Sequence, residues 1–214
     1  RGLGGTWVAI HPYARIEKSG EVRFTPPEAT SYLPEAVARA RDAGLRLFWK
    51  PHLAYWGRFE WRGAIDFGDD AARWSRFFAS YRAFILAHAR FAAAHDIPLF
   101  SVATELERAV DREASWRRII GEVRAIYPGR LTWAANWDGV DRVPFWDALD
   151  LIGVQAYFPL DVGANDLPTR DAIARAWSAP LARLEALARA TDRPVLFTEI
   201  GYPDAPHAAA RPWT

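Results

Sequence analysis

Two glutamates stand at places in this chain where a carboxyl group could take part in catalysis. Glu105 and Glu199 each follow a largely apolar run and are each preceded by a threonine. A glutamate at the end of a buried strand is costly unless it is paired or hydrogen-bonded, so a salt bridge to an arginine or a helix cap is one explanation. The other explanation is that the two glutamates take part in catalysis. Two carboxyl groups about 5–5.5 Å apart can cleave a glycosidic bond, one protonating the leaving oxygen while the other attacks the anomeric carbon.

Lysine and the side-chain amides are rare in this chain, and most of them follow apolar runs. The lysines are Lys18 and Lys50, and the amides are Asn136, Gln155 and Asn165. The polar residues at the ends of the apolar runs are His11, Lys50, His52, Thr104, Glu105, Asn136, Gln155, Tyr157 and Glu199. In parallel α/β barrels, catalytic side chains occupy the carboxyl ends of the strands. We therefore expect these residues to share one rim, where Tyr157 could hold Glu199 and Asn136 could bind a sugar hydroxyl.

Short apolar strands alternate with helices along the chain, which indicates an α/β fold. The predicted strands are residues 5–11, 45–50, 97–103, 130–135, 151–156 and 194–198, and the predicted helices are 34–43, 70–95, 112–127, 143–149 and 170–190. Residues 51–69 form a long aromatic segment without helical or strand periodicity. Strands that are apolar on both faces and separated by helices favour a parallel sheet covered by helices. No glycine-rich phosphate loop follows a strand, which argues against a dinucleotide-binding fold.

The composition excludes several kinds of protein and site. The chain has no cysteine, so disulfides, thiolate catalysis and cysteine-ligated metals are excluded. The formal net charge is +1 and the basic residues are scattered, so we expect no nucleic-acid partner. No apolar run approaches the roughly 20 residues of a membrane span, so we expect no membrane contact. There are 11 tryptophans, of which we expect about half in the core and the others lining a groove for a ligand such as a sugar.

Other residues could carry different chemistry. His11 and His52 could bind a metal together with Glu105 or Glu199, but the chain has no H-x-H pair and no H-E-x-x-H motif. We therefore expect neither a metal nor another cofactor. Glu107, two residues after Glu105, is interpreted as a solvated loop residue. Ser101 lacks the glycines of a nucleophile elbow, which argues against a serine hydrolase.

Six short segments, in the same order along the chain, resemble glycoside hydrolase family 113. They are KPHL (50–53), WRG (61–63), ATEL (103–106), WAANWDG (133–139), FWDALDLIGVQAY (145–157) and FTEIGYP (197–203). The resemblance extends from about Gly5 to Pro203. It implies a (β/α)8 TIM barrel of the retaining superfamily, with catalytic glutamates after the fourth and seventh strands and an activity that is chiefly endo-β-1,4-mannanase.

The resemblance also implies roles for individual residues. Glu105 matches the acid/base, Glu199 the nucleophile and Tyr157 the tyrosine that bonds the nucleophile. The positions that would line the sugar subsites are Lys50, His52, Trp61, Asn136 and Trp137. Two residues depart from the family pattern: Ala64 stands where many relatives have an acidic residue, and Gln155 where aspartate is common. The sugar is therefore less well defined than the reaction.

The register of the six segments predicts which strands of a barrel are present. Residues 5–11 correspond to the second strand and residues 194–198 to the seventh, so we expect a single catalytic domain over residues 1–214 with about six βα units, an incomplete barrel. Such a fragment is expected to be poorly stable and catalytically impaired when isolated. The expected partner is a β-linked oligo- or polysaccharide, with mannan first and a xylan, glucan or exopolysaccharide as alternatives. A non-catalytic carbohydrate-binding barrel is a further alternative.

Overall fold

The computed structural model describes residues 4–162, 168–205 and 207–213, so that Asn165 lies outside the described residues. The strands are β1 (Trp7–Ile10), β2 (Tyr13–Ile16), β3 (Val22–Arg23), β4 (Arg46–Trp49), β5 (His52–Ala54), β6 (Leu99–Thr104), β7 (Arg130–Asn136), β8 (Leu151–Gln155) and β9 (Val195–Glu199). The helices are α1 (Tyr32–Asp42), α2 (Ala71–Ala94), α3 (Glu113–Ile126) and α4 (Arg170–Thr191). No helix among the described residues combines the length and apolar character that a membrane span requires.

Six parallel strands form one curled sheet in the order β1-β4-β6-β7-β8-β9. Each neighbouring pair is parallel, and helices connect several of the strands, which gives the half-barrel that the alternation in the sequence predicts. Every residue of β6 and of β8 is buried. The outermost strands are more open: β1 has no fully buried residue and β9 has one. An incomplete (β/α)8 barrel is therefore confirmed as the fold class.

A second, three-stranded sheet lies beside the half-barrel in the order β3-β2-β5. Strand β2 pairs antiparallel with β3 and parallel with β5, so that Tyr13 lies opposite His52. The sequence interpretation is wrong here, because it predicted no strand over residues 13–23 and none in the segment 51–69. The three strands have only two to four residues each, too few for a periodic pattern to be recognised. The predicted helix 143–149 is also wrong, since that range contains a single 3₁₀ turn, Trp146–Ala148, and another, Val140–Arg142, precedes it.

Helix α2 joins the helical layer to the sheet through aromatic side chains. The side chain of Asp70 caps the helix by accepting a hydrogen bond from the backbone N–H of Arg73 at 2.9 Å. The hydroxyl of Tyr81 donates to the carbonyl of Val102 on β6 at 2.8 Å, and its ring packs edge-on against Trp116 of α3 at 5.3 Å. Five of the tryptophans are buried: Trp49, Trp74, Trp116, Trp133 and Trp146. The core thus takes close to half of the 11, as the composition suggests.

Candidate active site

The two candidate glutamates lie at the carboxyl ends of strands of the curled sheet. Glu105 directly follows β6, and its backbone N–H donates to the carbonyl of Ala134 on β7 at 2.9 Å. Its φ of +56° is in the left-handed region, which a residue other than glycine rarely adopts. Such strained conformations cost about 1–3 kcal/mol and cluster at functional sites. Glu199 ends β9, where it pairs in register with Gln155 of β8.

Two donors hold the carboxylate of Glu199. The ammonium of Lys50 forms an ion pair with Oε1, and the hydroxyl of Tyr157 donates to Oε2 at 2.9 Å. Burial by itself would raise the pKa of Glu199, but the charge and hydrogen bond of Lys50, together with the hydrogen bond from Tyr157, outweigh it and hold that pKa below its usual range. Burial and the charge of Glu199 raise the pKa of Tyr157, so the phenol keeps its proton and remains a donor. Glu199 is therefore ionised and fixed in direction.

Glu105 is held by a different pair of donors. The guanidinium of Arg62 forms an ion pair with Oε2, and the amide of Gln155 donates to Oε1 at 3.0 Å. Arg62 is itself buried, and its Nε donates to the carbonyl of Leu53 at 3.0 Å. The sequence interpretation missed Arg62, because arginine is common in this chain and nothing distinguished this one from the others except its place in the WRG segment.

Gln155 connects the partners of the two glutamates. Besides donating to Glu105, it accepts hydrogen bonds at Oε1 from Lys50 and from Thr198, both at 2.7 Å. An amide can donate on one side and accept on the other, whereas an ionised carboxylate can only accept. Glutamine in place of the aspartate common in the family therefore allows one side chain to bond both Glu105 and the cation that holds Glu199.

His52, which we expected to line a sugar subsite, lies next to the same cluster. Its ring stacks on that of His11 with centroids 4.6 Å apart. Neither ring nitrogen of His52 has a hydrogen-bond partner in the described part of the chain, nor has Nε2 of His11. Burial, followed by the charges of Arg62 and Lys50, lowers the pKa of His52 to about 2, and burial and Lys50 also lower the pKa of His11. Both rings are therefore neutral, and their unpartnered nitrogens are covered by the surrounding residues.

The same two histidines and Glu199 could in principle hold a metal ion. One ligand atom from each of the three lies within 4.8 Å of the others. However, Glu199 already bonds Lys50, and the positive charges of Lys50 and Arg62 that oppose protonation of His52 would also oppose a bound cation. The geometry allows a metal, while the electrostatics disfavour it.

The side chain of Asn136 is held by Glu107, which the sequence analysis interpreted as a solvated loop residue. Its Nδ2 donates to Glu107 at 3.4 Å, and Glu107 also accepts from Arg142 at 3.2 Å. The interpretation of Glu107 as a solvated loop residue is therefore wrong, since its side chain is only 24% exposed and is bonded on both oxygens. Glu107 fixes Asn136 at the end of β7, on the same edge of the sheet as the two candidate glutamates.

The two predicted subsite tryptophans, Trp61 and Trp137, are half-buried. The ring of Trp61 covers Gly63, where an added Cβ would lie 2.0 Å from the indole. Trp137 packs 5.8 Å from Phe158 and stacks 6.0 Å from the exposed Trp213. The described contacts of these two indoles do not reach Glu105 or Glu199, so their place in the cleft stays a prediction.

Comparison with known proteins decides the family. The sequence model of Glycoside Hydrolase Family 113 matches residues 2–214. The chain belongs to glycoside hydrolase family 113. The resemblance based on six short segments is thereby confirmed. No curated protein matches the chain.

Solved structures agree with this family 113 assignment. A GH113 β-1,4-mannanase in a complex is 28% identical with a TM-score of 0.80, over 96% of this chain and 64% of that one. The same values hold for the GH113 β-mannanase AaManA from Alicyclobacillus acidocaldarius in complex with ManMIm. Fungal β-1,4-galactanases, at 14% identity and a TM-score of 0.53 over 91% of this chain and 64% of theirs, share the fold alone. The chain spans about 64% of the length of these mannanases.

Proposed function

We propose that this chain carries the catalytic centre of a retaining endo-β-1,4-mannanase, with Glu199 as the nucleophile and Glu105 as the acid/base. The observation that carries the proposal is the asymmetry between the two glutamates. A cation and a phenol hold Glu199 as a carboxylate, whereas Glu105 bonds separate donors, Arg62 and Gln155. The family and the solved mannanases support the substrate.

In the first step, an oxygen of Glu199 attacks the anomeric carbon while Glu105 gives its proton to the departing glycosidic oxygen. The bond from carbon to the leaving oxygen breaks as the ester to Glu199 forms. In the second step, Glu105 takes a proton from water, and the resulting hydroxide displaces Glu199 from the sugar. Glu199 becomes a carboxylate again, and the donors that stabilise it as a leaving group are Lys50 and Tyr157.

The contacts of Glu105 are compatible with a role as the acid. Both of its oxygens accept hydrogen bonds, one from Arg62 and one from Gln155. A protonated carboxyl has one O–H donor and keeps acceptor lone pairs, so Glu105 can donate its proton to the leaving glycosidic oxygen while Arg62 and Gln155 hold its direction.

The sugars next to the scissile bond meet groups suited to hydroxyls. Asn136 is held in place by Glu107, and the neutral rings of His11 and His52 lie beside Glu199, with their unpartnered nitrogens buried among the described residues. Trp61 and Trp137 supply ring faces for more distant sugars. Because Gln155 and Ala64 depart from the family pattern, xylan and β-glucan belong in the substrate panel beside mannan. A carbohydrate-binding barrel without activity is the alternative that the assay tests.

The test compares Glu105→Ala and Glu199→Ala with the unmodified protein on mannan, xylan and β-glucan. The control is Glu60→Ala, which removes an exposed glutamate. We expect mannan to be the preferred substrate, both test variants to lose hydrolysis and the control to retain it. Undiminished hydrolysis in either test variant would remove that glutamate from the mechanism, and binding without hydrolysis by the unmodified protein would favour the non-catalytic alternative.

The second candidate function is metal-dependent hydrolysis, which the grouping of His11, His52 and Glu199 favours. The two mechanisms differ in their response to chelation. We expect hydrolysis to survive prolonged treatment with EDTA. Loss of activity that added zinc restores would support the metal mechanism instead.

A further inference from the structure

A continuous series of aromatic rings leads from Glu199 to the surface of the small sheet. His11, which lies close to Glu199, stacks on His52. Tyr13 packs 5.3 Å from His52 and stacks on Trp56 at 5.7 Å with an angle of 29° between the rings. The inner two rings are covered, but Tyr13 is 46% and Trp56 61% exposed. We call these two exposed residues the outer aromatic pair.

The backbone fixes the position of the outer aromatic pair. Tyr13 begins β2 and lies opposite His52, the first residue of β5. Trp56 stands in a tight turn in which the N–H of Arg58 donates to the carbonyl of Tyr55 at 3.0 Å. Gly57 has a φ of +73°, a conformation that glycine adopts readily. Trp56 is therefore presented by a defined turn.

An ion pair ties this turn to the small sheet. The Nε of Arg58 donates to Glu17 at 3.0 Å, directly after the end of β2, and its NH1 donates to the carbonyl of Trp56 at 3.4 Å. Because Arg58 and Glu17 neutralise each other, this ion pair itself adds no net charge beside the exposed rings.

Tyr13 also forms one wall of an open cavity of about 360 Å³. Its other walls include hydroxyl-bearing side chains and one exposed ring: Thr25, Thr30, Ser31 and Tyr32. Flat rings beside hydroxyl groups suit a pyranose, whose C–H face packs on an aromatic ring while its hydroxyls form hydrogen bonds. The ring series begins beside Glu199, so a glycan that leaves the catalytic centre on this side reaches the outer aromatic pair.

We propose that the outer aromatic pair, Tyr13 and Trp56, forms a distal subsite for the distant sugars of a β-linked oligosaccharide. The proposal rests on the proposed function, because it needs a glycan chain that extends from Glu199. A distal subsite makes the binding affinity depend on the length of the glycan, since a disaccharide at the glutamates does not reach Trp56 whereas a longer oligosaccharide does.

Calorimetric titration with mannobiose and mannohexaose tests this subsite. The titrations use Glu199→Gln as the parent so that the ligands are not cleaved, with Trp56→Ala, Tyr13→Ala, both together, and Trp56→Phe added to it. The control is Trp7→Ala, which removes an indole that is 41% exposed at the amino end of β1 in the six-stranded sheet. We expect each alanine to weaken mannohexaose binding roughly two- to tenfold and to leave mannobiose unchanged, while Trp56→Phe and Trp7→Ala bind as the parent does.

Three results would overturn the distal subsite. One is unchanged mannohexaose affinity in the double variant. Another is equal weakening for both ligands, which would mean that the pair acts through the catalytic centre. The third is a change in oligomeric mass without a change in mannohexaose affinity, which would make the pair a protein contact. Hydrolysis of mannan by the unmodified protein is scored separately, so failure of the proposed function and failure of the subsite are distinct results.

Discussion

Replacement of Lys50 by methionine removes the cation that keeps Glu199 ionised. Lys50 is fully buried, bonds Glu199 and donates to Gln155 at 2.7 Å. Methionine retains most of the volume and none of the charge. Glu199 would keep its bond from Tyr157 at 2.9 Å, but burial would then be opposed by fewer groups, so the pKa of Glu199 rises.

The expected loss of activity in Lys50→Met can be worked out from the contact between Lys50 and Glu199. Two unit charges 4 Å apart at an effective dielectric constant of 20 interact by about 4 kcal/mol. The side chain of Glu199 is 25% exposed, so solvent screens part of that energy. Loss of one group that stabilises charge in an active site costs about 10²–10³-fold in kcat. We expect a decrease of that size in kcat/KM near neutral pH.

The pH profile separates loss of charge from general damage. The nucleophile must be ionised, and a lowered pKa keeps Glu199 ionised at lower pH. In Lys50→Met, the acidic limb of kcat/KM therefore moves to higher pH, and the deficit narrows as the pH rises. The control is Lys18→Met, which removes the chain's other lysine, an exposed one. An acidic limb that stays in place, or moves to lower pH, would refute the role of Lys50.

Two further predictions concern Arg62 and the buried histidines. Arg62→Met should reduce hydrolysis more for natural mannan than for an aryl mannoside with a good leaving group, because Arg62 bonds Glu105, the proposed acid; equal losses on both would indicate a structural role. At pH values below 6.5, the free energy of unfolding should decrease by about 1.4 kcal/mol per pH unit for each of His52 and His88. Burial lowers their folded pKa to about 2 and about 3, so only the unfolded chain takes up protons in this range. Urea titrations at pH 7.5 and 5 measure this fall; His88→Phe should lessen it, and equal stability at both pH values would contradict the argument.

The side chains at the carboxyl ends of the strands were predicted from the sequence better than the contacts that loops and short strands make with them. Lys50, Gln155 and Glu199 meet because the carboxyl ends of parallel strands share one edge, so finding the strands was enough to bring them together. The uncommon residue types Lys50 and Gln155 in an arginine-rich chain were a usable signal. The strand ends themselves were within a residue or two of the observed ones.

Contacts made by loops and short strands were not predictable in the same way. Arg62 reaches Glu105 from a 3₁₀ turn 43 residues earlier in the chain, and no spacing rule links the two. Glu107 bonds Asn136 across a separation of 29 residues. The small sheet, which carries Tyr13, was missed because each of its strands is too short to show a period. These features depend on tertiary packing rather than on local pattern.

The roles of the two glutamates are tested most directly by the stereochemistry of azide rescue, measured by NMR with an activated aryl β-mannoside. In Glu199→Ala, azide can enter the space of the missing carboxylate and attack from its side of the sugar, so we expect restored turnover and an α-glycosyl azide. In Glu105→Ala, the ester to Glu199 still forms and azide should give the β-product. No rescue of Glu199→Ala, or an α-azide from Glu105→Ala, would contradict the assignment of the two glutamates.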